Sequence, residues 1–459
     1  MNRSPQRSFD VACACGAVIH SSDEHLGRTI TCRCGRAVHI QRPKEQEPVV
    51  AGRSGRSERK RTKKRARFNV GALLSLLPRM PRLPRLRFDL SEWYAKRAVT
   101  RYTFRGAVIY AAAMLSTWIS LITASEYWLP ATMLAYGPRW VVLLPLAALL
   151  PLSLLYARSA TTLLGVSALI ALGPVMGFRV ALPTAGLSAP TAPAPNAIRV
   201  LSLNAQGGGI VKLRLTAILE RYAPSIVAMQ ECGDALAAVV AQQRGWHTAR
   251  YEGLCTMSRW PIEFADTMPR AAFARVSQLG YGGTGIVVRY GIAHPAGSFQ
   301  FVNLHLETAR KGLESLLGDD GLIPDNATGV PSPEHEQRAD RVGEDRVALN
   351  ARIREGEAER ASVWSARKMD EVPVIIAGDF NMPVESAIYR RYWSGLTNAF
   401  DSKGLGFGFS KHEGSLLRLR IDHVLSAPKW FRVRGAWVGD DVGSDHRPMI
   451  ADLTTVATP

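Results

Sequence analysis

The chain has 459 residues, more than one ordinary domain holds, so two or more folded units are expected. Its formal net charge of +18 would point to nucleic acid if it were spread evenly, and it is not. Residues 50–106 carry 17 Lys/Arg against 3 Asp/Glu, whereas residues 197–459 carry 30 against 30. The basic excess belongs to a connecting segment, which excludes a generally cationic C-terminal domain.

Residues 8–41 hold four of the 6 cysteines. Cys13-x-Cys15-Gly16 and Cys32-x-Cys34-Gly35 are two copies of one pattern, each followed by a β-prone triplet. Four thiolates on two turns suit tetrahedral Zn²⁺, and the glycines permit the positive φ of a tight turn. A small zinc-ribbon-like β unit is expected, with structural Zn²⁺ on Cys13, Cys15, Cys32 and Cys34. One residue separates each pair where two are usual, and the alternative is a pair of hairpins with free thiols. The first residues are polar with no apolar core, so no cleavable signal peptide is expected. Residues 42–105 read as a basic, disordered linker and juxtamembrane segment. Its end, "LLPRMPRLPRLRF", alternates Arg with Leu and suits an anionic bilayer surface.

Residues 106–180 predict three transmembrane helices. The stretches 107–125, 141–157 and 159–178 contain no charged residue, and a helix needs roughly 20 apolar residues to cross a bilayer. The second is the shortest and contains Pro145 and Pro151, which neighbouring helices must accommodate. Trp118, Tyr127, Trp128 and Trp140 sit near the segment ends, as an interfacial belt would. The basic block before Ala107 places the N-terminus in the cytoplasm, and three crossings place everything after Phe178 outside. A re-entrant second stretch would reverse that. The Pro/Ala-rich residues 181–196 read as a semi-rigid spacer lifting the next domain off the membrane.

Residues 197–455 alternate strand-like and helix-like segments, and polar residues recur where strands end. "LSLNAQ" ends near Asn204, "VAMQE" on Glu231, "VNLHLE" on His305 and Glu307, and "IIAGDFNMP" on Asp379 and Asn381. "RIDHVL" carries Asp422 and His423, and "GSDHRPM" carries Asp445 and His446. Strand ends converge on one rim of a sheet, where sites are built on loops held by a rigid scaffold.

These motifs, in this order, resemble those of the endonuclease/exonuclease/phosphatase superfamily. The phosphoester hydrolysis that the resemblance implies needs a hard cation, a positioned water and donors for developing negative charge. Glu231 is an oxygen ligand suited to Mg²⁺ (or Mn²⁺), with Asn204 orienting it. Asp379 is placed to accept the water's proton, and Asn381 to fix the water or a phosphate oxygen. His305 and His446 would donate to the phosphate. Alternation puts His423 opposite Asp422, so it is expected to pack or face solvent. Glu307 and Arg310 are either substrate contacts or ordinary rim charges. Gln206 stands where many members of the resembled superfamily have Asn or Asp, and as a weaker ligand it argues against a second metal there.

The resemblance covers residues 197–455 and implies an α/β, four-layer sandwich of two facing β-sheets flanked by helices. It also implies Asp422 as the carboxylate holding His446, leaving Asp445 as a further metal-side carboxylate. "NLHLETARKGLE", at the start of the insertion 309–347, resembles the membrane-attached VanJ-like group, which combines three spans with an external domain. The expected function is a membrane-anchored phosphoesterase acting on phosphomonoester, phosphodiester or pyrophosphate bonds, with lipid-linked phosphates as candidate substrates. A tethered nuclease is the alternative, for which the balanced charge supplies no general excess. A non-catalytic zinc-ribbon adaptor or sensor is a third. Cys232 and Cys255 can pair only if the fold brings them together.

Overall fold

The computed structural model describes residues 8–12, 18–22, 27–32, 34, 37–39, 93–180, 197–208, 212–280, 282–317, 346–413 and 417–456. The chain divides into a unit ending at Leu86 and a second from Arg87. In the first, strand β1 (Ser8–Ala12) pairs antiparallel with β2 (Val18–Ser22), and β3 (Thr29–Thr31) with β4 (Ala37–His39). These are two hairpins with a Cys-x-Cys pair in the connection of each. Cys32 is buried and Cys34 exposed, while Cys13 and Cys15 lie outside the described residues, as does most of the basic linker.

In the second unit, helix α1 runs from Trp93 to Ala124, 32 residues and so roughly 48 Å. That corrects the expected linker boundary at residue 105. No Pro or Gly interrupts 93–105, so the helix continues past the apolar stretch and carries Arg97, Arg101 and Arg105 on its first turns. A short helix, α2 (Leu129–Tyr136), follows, then a 3-10 turn (Arg139–Leu143) leading into α3 (Leu144–Tyr156). Helix α4 (Arg158–Ile170) ends in a π-helical turn, Ala171–Val175, that absorbs Pro174. Three stretches, Arg97–Ala124, Arg139–Tyr156 and Arg158–Val175, are long and apolar enough to cross a membrane. The second runs back along α1 instead of folding on itself. Thr100 Oγ1 donates to Tyr156 O at 2.8 Å, and Tyr110 OH to Val142 O at 3.0 Å.

The remainder is a sandwich of two six-stranded sheets. One has the order β10 (Ile262–Thr267), β11 (Ile286–Ile292), β12 (Phe299–His305), β13 (Val374–Asp379), β18 (Asp422–Ser426), β14 (Thr397–Asn398). The other has β19 (Phe431–Val438), β20 (Met449–Thr455), β6 (Ile198–Asn204), β7 (Ile226–Gln230), β9 (Leu254–Ser258), β8 (His247–Tyr251). Side chains alternate faces along a strand. Ile198, Val200, Ile226 and Ala228 therefore pack between the sheets against Phe299, Phe301, Ile375, Ala377 and Val424. Leu201, Leu203, Val227 and Met229 face outward onto Leu215, Ile218 and Leu236 of the flanking helices. Val302, Leu304, Val374 and Ile376 do the same against Ala358, Ala361 and Ile388 on the opposite side. The result is the expected four layers. Cys232 and Cys255 form a disulfide.

The sandwich is not lifted away from the helices. The expected spacer lies outside the described residues, but its flanks are in contact: β5 (Arg179–Val180) pairs with β15 (Leu405–Gly406). Glu385 accepts from Arg139 at 2.8 Å and from Arg179 at 3.1 Å. The buried Glu126, just past α1, accepts from the Ser386 hydroxyl and from Ala387 N at 3.2 Å, at the start of helix Ala387–Trp393. Buried charges need such partners, and these tie the sandwich to one end of the helical region.

Candidate active site

Alternation also places the site. Continuing the inward-facing series to each strand end puts Asn204, Gln230, His305, Asp379 and Asp422 between the sheets. One layer down, Gln230 Nε2 donates to Asn303 Oδ1 at 2.7 Å, and Asn303 Nδ2 to Thr256 Oγ1 at 3.0 Å, a polar bridge across the core. At the rim the same geometry brings acids together. Asn204 Nδ2 donates to Glu231 Oε1 at 2.8 Å and to Asp379 Oδ2 at 3.1 Å. Strands β12 and β13 run parallel, with His305 beside Asp379, and Asp379 lies opposite Asp422 of β18. That close packing requires Gly378: a Cβ there would stand 1.9 Å from Leu304 O.

Strand parity alone would turn Glu231 to the outer face, since Gln230 points inward. Glu231 instead adopts φ +49°, as do Gln206 (+48°) and Asn381 (+52°). Three of the five non-glycine residues with positive φ among the described residues thus lie at this rim. Such backbones persist where the surrounding structure over-determines them. The Cys232–Cys255 bond fixes the chain just after Glu231. Asn381 N donates to Asp379 Oδ1 at 2.8 Å, while Asn381 Nδ2 donates to Leu306 O at 2.8 Å.

His446 is fully enclosed, its Nδ1 2.7 Å from Asp422 Oδ2 and its Nε2 3.8 Å from Asp379 Oδ2. His305 Nε2 stands 3.7 Å from Asp379 Oδ2 and 3.9 Å from Glu231 Oε1. Burial works against a charged His446, but Asp422 and Asp379 outweigh it and raise its pKa. Burial, reinforced by Asp422, pushes the Asp379 carboxyl above its ordinary range against the pull of His446, His305 and Asn204.

The loop carrying His446 is fastened at several points. Ser444 Oγ donates to Asn204 O at 2.7 Å, and Asp445 N to Gln206 Oε1 at 3.1 Å, which gives Gln206 a structural task. Asp445 pairs with Lys411 Nζ at 2.7 Å, and Lys411 also lies 3.2 Å from His446 Nε2. Lys411 was invisible to sequence reasoning because its partners are 34 and 35 residues away. His423 is buried against Met382 O and Asn398, and burial lowers its pKa to about 4, so it packs as alternation implied. Glu307 is not an exposed rim charge. It is buried and accepts from Thr284 Oγ1 at 2.7 Å and Lys311 Nζ at 3.1 Å. Arg310 begins helix Arg310–Leu317, and residues 318–345 of the insertion lie outside the described residues. Arg354, unsuspected from sequence, donates Nε to Glu307 O at 3.3 Å and Nη2 to Asn381 O at 3.2 Å. It also donates to Tyr136 OH of α2.

The donor set suits a hard divalent cation. Glu231 is a partly exposed carboxylate oriented by the Asn204 amide, which also reaches Asp379. The buried Asp422 Oδ1 has no hydrogen-bond partner among the described residues. Asp379, Asp422 and His446 offer ligand atoms within 4.8 Å of one another.

A model of the "Endonuclease/Exonuclease/phosphatase family" matches residues 201–446. No curated protein matches the chain. Among solved structures, the human Nocturnin catalytic domain with bound sulfate is similar at 13% identity, covering 58% of this chain and 97% of that one, with a TM-score of 0.40. The 3'-5' exonuclease (NExo) of Neisseria meningitidis is similar at 15% identity, covering 56% and 99%, with a TM-score of 0.38. D. rerio TDP2 complexed with a single-strand DNA product is similar at 13% identity, covering 57% and 100%, with a TM-score of 0.36.

Proposed function

The chain belongs to the endonuclease/exonuclease/phosphatase family, and on that premise we propose a membrane-anchored, divalent-metal-dependent phosphoesterase whose site faces the extracytoplasmic side. Members of the family hydrolyse phosphoester bonds. The observation that carries the reading is the joined set Glu231–Asn204–Asp379 and Asp422–His446, delivered by separate strand ends to one rim.

Asp379 is held on Oδ1 by the Asn381 amide and on Oδ2 by Asn204, and a carboxyl with a raised pKa is matched to taking a proton from water. Asp422 holds the His446 ring through Nδ1, and an imidazolium held there would donate from Nε2 to the developing charge on a phosphate. His305 donates from the adjoining strand. Glu231, with Asn204, would hold Mg²⁺ or Mn²⁺, which supplies polarisation of the phosphoryl oxygens when bound. Asp445, whose carboxylate faces Lys411, holds that lysine beside His446 and is here assigned to positioning instead of the metal.

Two features support the external side. The basic residues cluster on the first turns of α1, and the chain then passes along three apolar helices to the sandwich. The Cys232–Cys255 disulfide fits an oxidising compartment. An external site meets lipid-linked phosphates and pyrophosphates, the substrate class favoured here. Purified full-length protein is expected to hydrolyse a generic phosphodiester or alkyl pyrophosphate, to lose turnover in EDTA and regain it with Mg²⁺. Retention of activity in Glu231→Ala would sink the assignment, and absence of metal-dependent turnover on any phosphoester would return the chain to a binding role. A cysteine placed after Pro190 should react with an impermeant thiol reagent in intact spheroplasts, and one within residues 50–66 only after permeabilisation. The opposite pattern moves the site inside and puts nucleic acid or soluble phosphoesters first.

A further inference from the structure

Between the sandwich and the helix ends that contact it lies a cavity of about 290 Å³, lined by Arg139, Trp140, Met176, Phe407, Phe409 and Arg418 among others. Its size is near the lower end for a small-molecule pocket, enough for part of a lipid and not the whole. The cavity and the site draw their residues from the same chain segments. Pro383 follows the Asp379–Asn381 loop, and Leu419 and Arg420 precede Asp422. The fully buried Ser410 joins the two: its N donates to Leu419 O at 2.9 Å, and its Oγ accepts from Asp422 N at 3.1 Å. Phe409 on one side of Ser410 lines the cavity, and Lys411 on the other touches His446.

Phe407 and Phe409 stack in parallel, ring centroids 5.1 Å apart, with Phe178 edge-on to Phe407 at 5.0 Å. Both are only half-buried, and neither belongs to a hydrophobic core cluster among the described residues. Their presentation depends on glycine. Gly406 and Gly408 have φ of +90° and +64°, and a Cβ on Gly408 would stand 2.4 Å from the Phe400 ring. A backbone shaped in this way to hold two rings at a cavity wall is a built feature. Trp140, which lines the cavity at the start of the second apolar stretch, is exposed, as is the following Val141. The cavity's charged lining is Arg139, paired with Glu385, together with Arg418 and Arg420. Arg418 is exposed at its edge, and the buried Arg420 pairs with Asp401 at 2.8 Å while its Nη1 has no hydrogen-bond partner among the described residues.

We infer that this cavity receives the phosphate-proximal apolar chain of a lipid phosphoester drawn from the bilayer, laid against Phe407 and Phe409 while its phosphate group enters the Asp379–His446 site. This rests on the phosphoesterase reading above. Apolar rings suit the chain, the exposed Arg418 suits an anionic linkage passing toward Asp422 and His446, and the exposed Trp140 opens the lining toward the apolar helices. A soluble phosphoester would leave that wall uncovered.

The test compares kcat/KM of the full-length protein in detergent for dodecyl pyrophosphate and for methyl pyrophosphate. The wild type should favour the dodecyl ester, and Phe407→Ser or Trp140→Ser should each lower that preference by about tenfold, the scale on which lost apolar contacts act in substrate selection. Phe407→Leu, which keeps most of the apolar surface, should retain most of the preference and covers the case in which serine prevents folding. An unchanged preference in the serine variants, or no preference in the wild type, overturns the inference while leaving the phosphoesterase reading in place. Dissociation of an oligomer in Phe407→Ser with an unchanged preference would make a second copy the occupant. No turnover of either ester by the wild type sinks the phosphoesterase reading, and this inference with it.

Discussion

Glu385 and Asp379 are both buried carboxylates on the same side of the sandwich sequence, six residues apart, yet they stand in opposite company. Burial raises the pKa of each, as it must for an acid leaving water. Around Glu385, Arg139, Arg420 and Arg179 overturn that effect and hold its carboxyl below the ordinary range. Around Asp379, the facing Asp422 adds to burial, and two histidines and an asparagine do not cancel it. The first acid is an anchor between helices and sandwich. The second is left in an unfavourable state that the fold enforces, which is how reactive groups are poised.

The sharpest way to break the contrast is to remove the poised acid. Asp379→Ala should reduce turnover by about 10³-fold or more, within the range for a lost general base. Groups acting as a unit are non-additive, so adding Glu231→Ala should cost little further. Steady-state kinetics on the folded variants check this. Removing the anchor should act on stability instead. Glu385→Ala leaves the buried Arg139 without its carboxylate partner and Arg179 with Asp401 alone, which should cost about 3 kcal/mol, read by thermal or denaturant unfolding in detergent. A smaller effect separates the two by pH in the metal-free protein. A lowered Glu385 pKa contributes stability that is present above its ordinary value of 4.5 and lost as pH falls through the folded value. A raised Asp379 pKa does the reverse: its contribution is present below 3.8 and lost as pH rises through the folded value. Glu385→Gln should therefore flatten the acid limb of the melting profile, and Asp379→Asn the limb above it.

Much of the poised region was legible in the sequence, because strand period alone places Asn204, His305, Asp379 and Asp422 on inner faces at strand ends. The charge balance and the uncharged stretches likewise gave the helices and the sandwich as separate parts. The anchor was not legible. Arg139 and Glu385 are 246 residues apart and Ser386 and Glu126 are 260 apart, and nothing local marks either pair. For the same reason the contacts between sandwich and helix ends could not be read from the expected spacer at 181–196. Glu231 was found through its motif, although parity alone would have turned it outward, and only its positive φ brings it to the rim. Asp445 was assigned to the metal side by the resemblance, and its pairing with Lys411 on a distant hairpin was not legible locally.

The most direct test of the account measures turnover and melting temperature together in Asp379→Asn and Glu385→Gln at neutral pH without added metal for the melts. The account predicts opposite outcomes. Asp379→Asn should lose nearly all turnover while melting at or above the wild-type temperature, since it relieves a buried charge. Glu385→Gln should melt lower while keeping turnover well below its melting point. Near-normal turnover in Asp379→Asn, or a Glu385→Gln protein that melts like the wild type, would contradict it.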